Sequence, residues 1–407
     1  MTGTADRPAT FRAVFGIGEF RGLLAAHLLS VAGDQLARLA LTILVWQQTS
    51  SPSLTALTFA VSYVPDVLGG LVLAAIADRF SRRTVMVATD LARAVVVAAM
   101  ALPGVPLAVR VALLVLVQLA AVPFSAARQA VLPELLAGDR LVAGTGILSM
   151  TYQCGLAFGF GGGAAVVDAL SPAGALWADA GTFLLSATLL RMTLRPHRPA
   201  GSAEPKAGRW PTITAGWRLV AADKRLLALL GIACCSGFYV VPEGLAVPYA
   251  AELGANSQLG WLLAANPLGT IAGVLVLKRL APSRRLTLLG PLAAASSLVL
   301  LPTGWTPSVL VSALLWGLSG AFSAHDMVTQ ATYVRLAPDA RRGQALGVAG
   351  AAFRAAQGLA IVVSGLLAQA IAPSLVIAVF AVAGVLAAAA AATGWARATA
   401  AAQPDAA

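Results

Sequence analysis

What most constrains the fold of this chain is the recurrence of long apolar segments, each near the ~20 residues with which a helix crosses a bilayer. Six run near 22–46, 54–77, 84–102, 106–127, 141–169 and 173–194; after a polar break, six more run near 225–251, 257–277, 286–302, 307–327, 343–371 and 373–395. Of the 407 residues 58% are hydrophobic and 11% charged, with a mean hydropathy of +0.82. A soluble domain carries roughly a quarter charged residues to clothe its surface. Most of this surface must therefore face lipid, where only helices and closed barrels satisfy their own backbones. The expected fold is all-α and integral to the membrane, with about twelve transmembrane helices.

Residues 195–212, rich in proline and charge, read as an exposed linker. From Trp210 to Arg225, apolar Ile213, Trp217, Leu219 and Val220 alternate with Arg218, Asp223 and Lys224, a pattern suited to a helix lying in the headgroup plane. The halves on either side look like copies. A shift of 201 or 202 residues carries Pro65 onto Pro267, Arg82 and Arg83 onto Arg284 and Arg285, Gln129 and Ala130 onto Gln330 and Ala331, and Pro172 onto Pro373. Because that offset spans an even number of helices, the copies share one orientation, as parallel repeats about an axis along the membrane normal. Such a pair encloses a central cavity that opens to either side by rocking, and transport is its natural use.

The balance of 28 basic to 17 acidic residues leaves a net charge of +11, which nucleic acid, anionic lipid or membrane orientation would each explain. Placement decides among them. With loops assigned alternately to two sides, one side collects Arg7, Arg12 and Arg21, the Arg79–Arg83 turn, Arg128, Arg140, the run from Arg191 to Arg225, and the later loops from Lys278 to Arg285 and Arg335 to Arg342. Turns 47–53, 302–307 and 371–374 on the other side hold no basic residue. This asymmetry expects both termini and the central loop in the cytoplasm, and no nucleic-acid partner is needed to account for the charge. The expected organisation is a cytoplasmic N-terminus at 1–21, a six-helix bundle at 22–194, a cytoplasmic linker with an amphipathic helix at 195–224, a second six-helix bundle at 225–395 and a cytoplasmic tail at 396–407. The first apolar run, from Leu23 to Trp46, is too long for a signal peptide and reads as the first span. Cys154, Cys234 and Cys235 lie inside apolar runs, so neither a disulfide nor a metal site is expected. Three lysines against 25 arginines in an alanine-rich chain point to GC-rich coding sequence and a bacterial source.

The turn from Ala74 to Arg83, with Asp78 beside Arg79, Arg82 and Arg83, resembles the signature G-x-L-A-D-R-x-G-R-K/R of the major facilitator superfamily. The charges match, while Ala74 and Ser81 stand where that family usually has glycine. By this resemblance Asp78 and the three arginines form a latch that holds the cytoplasmic helix ends together in the outward-open state; topology-setting charge is the plainer alternative. Gly33-Asp34-Gln35 with Arg38, the run from Asp78-Arg79 on to Asp90 and Arg93, and Ala127 to Leu135 after the fourth helix resemble the branch that exports drugs and siderophores, including enterobactin and macrolide exporters. In the fifth span Gly155, Gly159 and Gly163 let two backbones approach closely, although Phe160 replaces the proline of the exporters' motif.

An ionisable group inside a span costs at least about 2.5 kcal/mol on insertion scales and is a functional candidate by default. His27, Asp34 and Arg38 share one face of the first span, and Asp34 with Arg38 is expected to form an intramembrane pair, either structural or proton-coupling. Asp90 and Arg93, three apart, extend the latch inward. Asp66 and Glu243 each follow a proline with no basic neighbour within a turn; with Asp34 they are the candidates to carry protons or to anchor a cationic substrate, and snorkelling to the interface is the competing role. His325 and Asp326, read as ending the tenth helix, cap it or take part in gating. Tyr63, Gln118, Tyr152, Tyr239, Trp261, Asn266 and Trp316 are candidates to line an amphiphile site, each against ordinary packing.

Together these features predict a secondary transporter, and the resemblance implies a proton-coupled exporter of a hydrophobic or amphipathic compound such as a drug, antibiotic or siderophore. An uptake permease of the same fold is the alternative. The expected partners are a small-molecule substrate, protons and membrane lipid, with no cofactor, metal or obligate protein partner. Neither a phosphate-binding G-x-x-x-x-G-K-S/T loop nor an H-E-x-x-H helix is present, which argues against an enzyme.

Overall fold

The computed structural model describes residues 14–63, 65, 80–196, 209–338 and 341–401, and among them every regular element is helical. The first half holds Gly18–Thr49, Pro52–Val61, Arg82–Ala101 and Leu107–Leu135 as its first four spans. Asp139–Ala157 then passes through a π-turn at Phe158–Gly162 into Gly163–Thr193. Ser171, at φ 69° and ψ 165° just before Pro172, breaks this run into the fifth and sixth spans. An L-residue pays of order 1–3 kcal/mol to stand there.

In the second half the seventh span is a chain of short helices, Lys224–Cys234, Ser236–Tyr239, Val241–Gly244 and Ala246–Glu252. Leu259–Leu277 is the eighth, Leu289–Leu298 continued by Leu301–Trp305 the ninth, and Val309–Ser323 continued by His325–Leu336 the tenth. Arg342–Leu367 and Pro373–Ala400 close the set. Eight runs among the described residues are individually long and apolar enough to cross a bilayer. The second, ninth and tenth spans are short or interrupted, and the fifth and sixth count as one run, which brings the eight into line with the expected twelve.

Local chemistry sets the helix starts. Ser51 accepts a hydrogen bond from the Leu54 amide at 3.4 Å with Pro52 in the first turn, and Ser81 accepts from Thr84 at 3.3 Å. Asp223 caps the seventh span by accepting from the Arg225 amide at 2.8 Å. Burial works against its ionisation, but the Arg225 amide and guanidinium prevail and hold the carboxyl below its usual range.

Two spans differ from expectation in length. The fourth continues past 127 to Leu135, so the Ala127–Leu135 segment forms its last turns and does not follow it. The tenth likewise continues beyond His325 and Asp326, which sit within the span and do not end it. Apolar runs in a sequence mark the thickness of lipid; a helix leaving the lipid keeps its backbone bonds and simply turns polar.

The repeat is visible in the packing: the first span lies along the sixth as the seventh lies along the twelfth, and the third meets the sixth as the ninth meets the twelfth. Small residues allow the closest approaches. At Gly269, Gly273 and Gly320 a Cβ would overlap the backbone of Gly317, Ala321 and Asn266 respectively, joining the eighth and tenth spans. Leu116, Leu310, Leu359 and Leu386 are at least half exposed on the outer surface, an arrangement suited to lipid. Arg209–Ala222 lies along the eleventh span, with Gly216 against Gln344 and Val348 and with Val220 buried.

The halves meet mainly at the end that carries turn 47–53. There Gly365 of the eleventh span rests on Ala56 and Ser53, Gly260 meets Gly161, and Gln369 donates to Ser53. An apolar cluster including Phe59, Phe160, Leu245, Leu262 and Ile361 seals this end. From that seal a cavity runs between the halves toward the end with the basic loops, past Thr145, Gln129, Met327 and Gln330.

Candidate functional site

The cavity comprises two adjoining chambers of about 590 and 690 Å³, within the range of sites for drug-sized molecules. The 590 Å³ chamber is built by both halves: Arg38, Tyr63 and Tyr152 face Glu243, Asn266, Asp326 and Arg354. The other is lined mainly by the first half, including Asp34, Arg93 and Gln118, with Arg354 reaching it from the second. Of the expected lining residues, Tyr63, Gln118, Tyr152, Tyr239 and Asn266 reach the cavity. Trp261 and Trp316 do not. Trp261 is 72% exposed on the outer surface, and Trp316 is 1% exposed and stacked on Tyr249 with ring centroids 5.7 Å apart. Tryptophan serves lipid-facing and packed positions equally well, and sequence position alone does not separate the two.

The expected pair of Asp34 with Arg38 is corrected: Asp34 bonds instead to Arg93 of the third span. Arg93 also donates to Asp90 at 3.2 Å and to the Ser30 hydroxyl at 2.8 Å, and its guanidinium lies 4.1 Å from the centroid of the Phe183 ring. Ser186 donates to the second oxygen of Asp90 at 2.6 Å. A third carboxyl completes the cluster. Asp179 of the sixth span is wholly buried, close enough for its charge to act on Asp34, Asp90 and Arg93; it accepts from Thr182 at 3.1 Å, and its other oxygen has no partner. Gly33 makes room for it, since a Cβ there would overlap Asp179 and Thr182. One guanidinium thus faces three carboxyls in a site from which water is largely excluded. Asp179 escaped the sequence reading, although a lone aspartate in an apolar run, seven residues before Ser186 on the same helix face, is a signal of the kind that singled out Asp66.

Arg38, released from Asp34, lies over two rings, 5.1 Å from the centroid of Phe59 and 5.5 Å from that of Tyr63. Arg354 of the second half approaches the same Tyr63 ring at 5.8 Å and donates to Gln357 at 3.2 Å. Glu243 lines the chamber where the charges of both arginines act on it. Arg128, counted among the loop arginines from sequence, also lines the cavity and bonds to the His27 ring at 2.7 Å, and that ring stacks on Tyr152. In the second half Tyr239 donates to Asp326 at 2.6 Å beside a fully buried His325.

At the basic end, Arg82 pairs with Glu134 of the fourth span, and Arg83 donates to the Leu194 carbonyl at 3.3 Å. Their expected companions Asp78 and Arg79, and the candidate Asp66, lie outside the described residues. Gly155, Gly159 and Gly163 lie against Val31, Ala32 and Leu36 of the first span, and the π-turn occupies the stretch where Phe160 replaces proline.

Comparison with known proteins adds to this geometry. The family model described as Major Facilitator Superfamily matches residues 23–322 and 244–406. The multidrug efflux pump Tap of Mycolicibacterium fortuitum is 29% identical over 374 residues, covering 86% of this chain and 88% of that protein. The uncharacterized MFS-type transporter YfiS of Bacillus subtilis is 28% identical over 295 residues, covering 70% and 69%. Among solved structures, the nucleoside transporter NupG superposes with a TM-score of 0.71 at 13% identity, over 93% of this chain and 99% of that one. A bacterial homologue of the human lysosomal transporter Spinster, in its inward-facing and unoccupied conformation, gives 0.68 at 13% identity, over 94% and 95%.

Proposed function

Since this chain belongs to the major facilitator superfamily, we propose that it is a secondary active exporter, driven by protons, of a hydrophobic or amphipathic small molecule. The observation that carries proton coupling is the buried cluster in which Arg93 pairs with Asp34 and Asp90 and acts by its charge on Asp179, with no other cation paired to these carboxyls among the described residues. Three carboxyls around one guanidinium make a buried site short of positive charge, and a bound proton is one way to balance it. Asp34 touches both this cluster and the cavity, so a proton exchanged there reaches the cargo chamber. Glu243 is a second candidate within the chamber, and Asp66 a third by sequence. Export is supported by the likeness to an efflux pump over most of the chain.

In this mechanism the halves rock about the central cavity. With the basic loops in the cytoplasm, the described state is open inward. Arg82 meets Glu134 and Arg83 the Leu194 carbonyl, and by the family resemblance Asp78 with the three arginines holds the cytoplasmic helix ends together in the outward-open state. Asp90 and Arg93 tie this motion to the buried cluster. The protein resides in the cytoplasmic membrane of a bacterium, with both termini in the cytoplasm.

Proteoliposomes carrying a pH gradient provide the test. Expected is substrate-dependent proton movement in the wild type, lost in Asp34→Asn and reduced in Glu243→Gln. Coupling that persists unchanged in Asp34→Asn, Asp66→Asn and Glu243→Gln alike sinks the proton assignment. An efflux-deficient host that accumulates more compound when it expresses the protein reverses the direction of transport.

A further inference from the structure

The cavity's own charges speak to what it carries. Arg38 lies over the Phe59 and Tyr63 rings, and its guanidinium makes no hydrogen bond or ion pair among the described residues. Among the described residues Arg128 bonds to the His27 ring and to Ser125 and forms no ion pair. Both line both chambers. A guanidinium within a span, as Arg38 is, is costly, and with Arg128 at the polar end of the fourth span it puts two guanidiniums, neither in an ion pair among the described residues, on the wall of the cavity, which marks a binding function. Lying over the rings with no hydrogen-bond partner, Arg38 keeps its terminal amino donors for a ligand, its Nε being buried, and a paired set of N–H groups suits an oxyanion.

The carboxyls of the same chamber are already engaged. Asp326 accepts from Tyr239, and Glu243 lies under the influence of Arg38 and Arg354, so a cation docking on Glu243 would meet two guanidiniums. One of the two roles the sequence offered for Glu243, an anchor for a cationic substrate as against a proton carrier, has the opposite sign.

We propose that the cargo bears an anionic group, a carboxylate or sulfonate on an aromatic or alicyclic scaffold, which docks on Arg38 with Arg128 supplying a second positive charge while the scaffold rests against Tyr63 and Tyr152 at the chamber wall. This rests on the cavity being the cargo site, the premise of the transport function above.

Two dyes of one ring system and opposite charge test it: fluorescein, an anion near neutral pH, and rhodamine 6G, a cation. Fluorescence anisotropy with the purified full chain in lipid nanodiscs, without any gradient, gives both affinities. Fluorescein is expected to bind at least about tenfold more tightly than rhodamine 6G. Arg38→Gln weakens fluorescein about tenfold or more and leaves rhodamine 6G unweakened, Arg38→Lys recovers part of the loss, and Arg128→Gln gives a smaller loss of the same sign. Tighter binding of rhodamine 6G, no saturable binding of fluorescein, or equal weakening of both dyes by Arg38→Gln overturns the proposal. If Arg38→Gln does not yield monodisperse protein, the wild-type preference and Arg128→Gln decide. Because no gradient is used, a protein that prefers fluorescein yet fails to export keeps this inference and loses the transport direction, and the converse also holds.

Discussion

Arg93 is the residue on which the first half turns. It meets Asp34, Asp90, Ser30 and the Phe183 ring from a position without solvent, and only a planar fork reaches that many partners. Arg93→Lys keeps the charge but loses the fork; breaking a buried pair costs about 3–5 kcal/mol, so a thermal unfolding midpoint in detergent should fall sharply. Asp179→Asn, which removes a surplus carboxyl without changing its shape, should leave that midpoint unchanged or raised. A fall as large as that of Arg93→Lys would show Asp179 to be a required charge partner. The residue scale is also where sequence reasoning was blindest. Four-residue spacing within the first helix paired Asp34 with Arg38, because a helix face is all that spacing describes; the arginine that captures Asp34 comes from 59 residues away. The Asp90 and Arg93 pair, internal to one helix, was legible for the same reason.

At the scale of the element, small residues decide how closely spans approach. Gly320→Ala places a Cβ against the Asn266 backbone, where no flexible side chain can yield, so the eighth and tenth spans must separate. The expected cost is about 1–3 kcal/mol, read as a lowered unfolding midpoint, whereas Gly347→Ala, with open space around it, should cost nothing. Equal effects of the two would argue against close packing of these spans. Helix existence was readable from apolarity and helix ends were not, as the polar last turns of the fourth and tenth spans show. The Ser171 break was signalled by Pro172, since the residue before proline is driven away from helical geometry.

For the whole molecule, the duplicated pattern made the two-half architecture and its central cavity legible, because a repeat of even helix number admits one relative orientation. Which end is shut was not legible, as that depends on contacts between copies. The described state is shut at the turn 47–53 end, where Gln369 reaches Ser53 across the halves. Cysteines placed at Ser53 and Gln369, in a background with Cys154, Cys234 and Cys235 replaced, should cross-link on oxidation and stop transport, with full recovery on reduction. Undiminished transport by the cross-linked protein would mean that this end never opens.

Tyr63 has a consequence of a different kind. Its ring lies within 5.5 Å of an arginine from the first half and 5.8 Å of one from the second. Any motion that parts the halves there strips one guanidinium from the ring and leaves the other in place. The electric field at that one side chain therefore differs between the open forms, so a single fluorinated tyrosine at position 63 would display their populations as separate fluorine resonances, and adding cargo would show which form it favours.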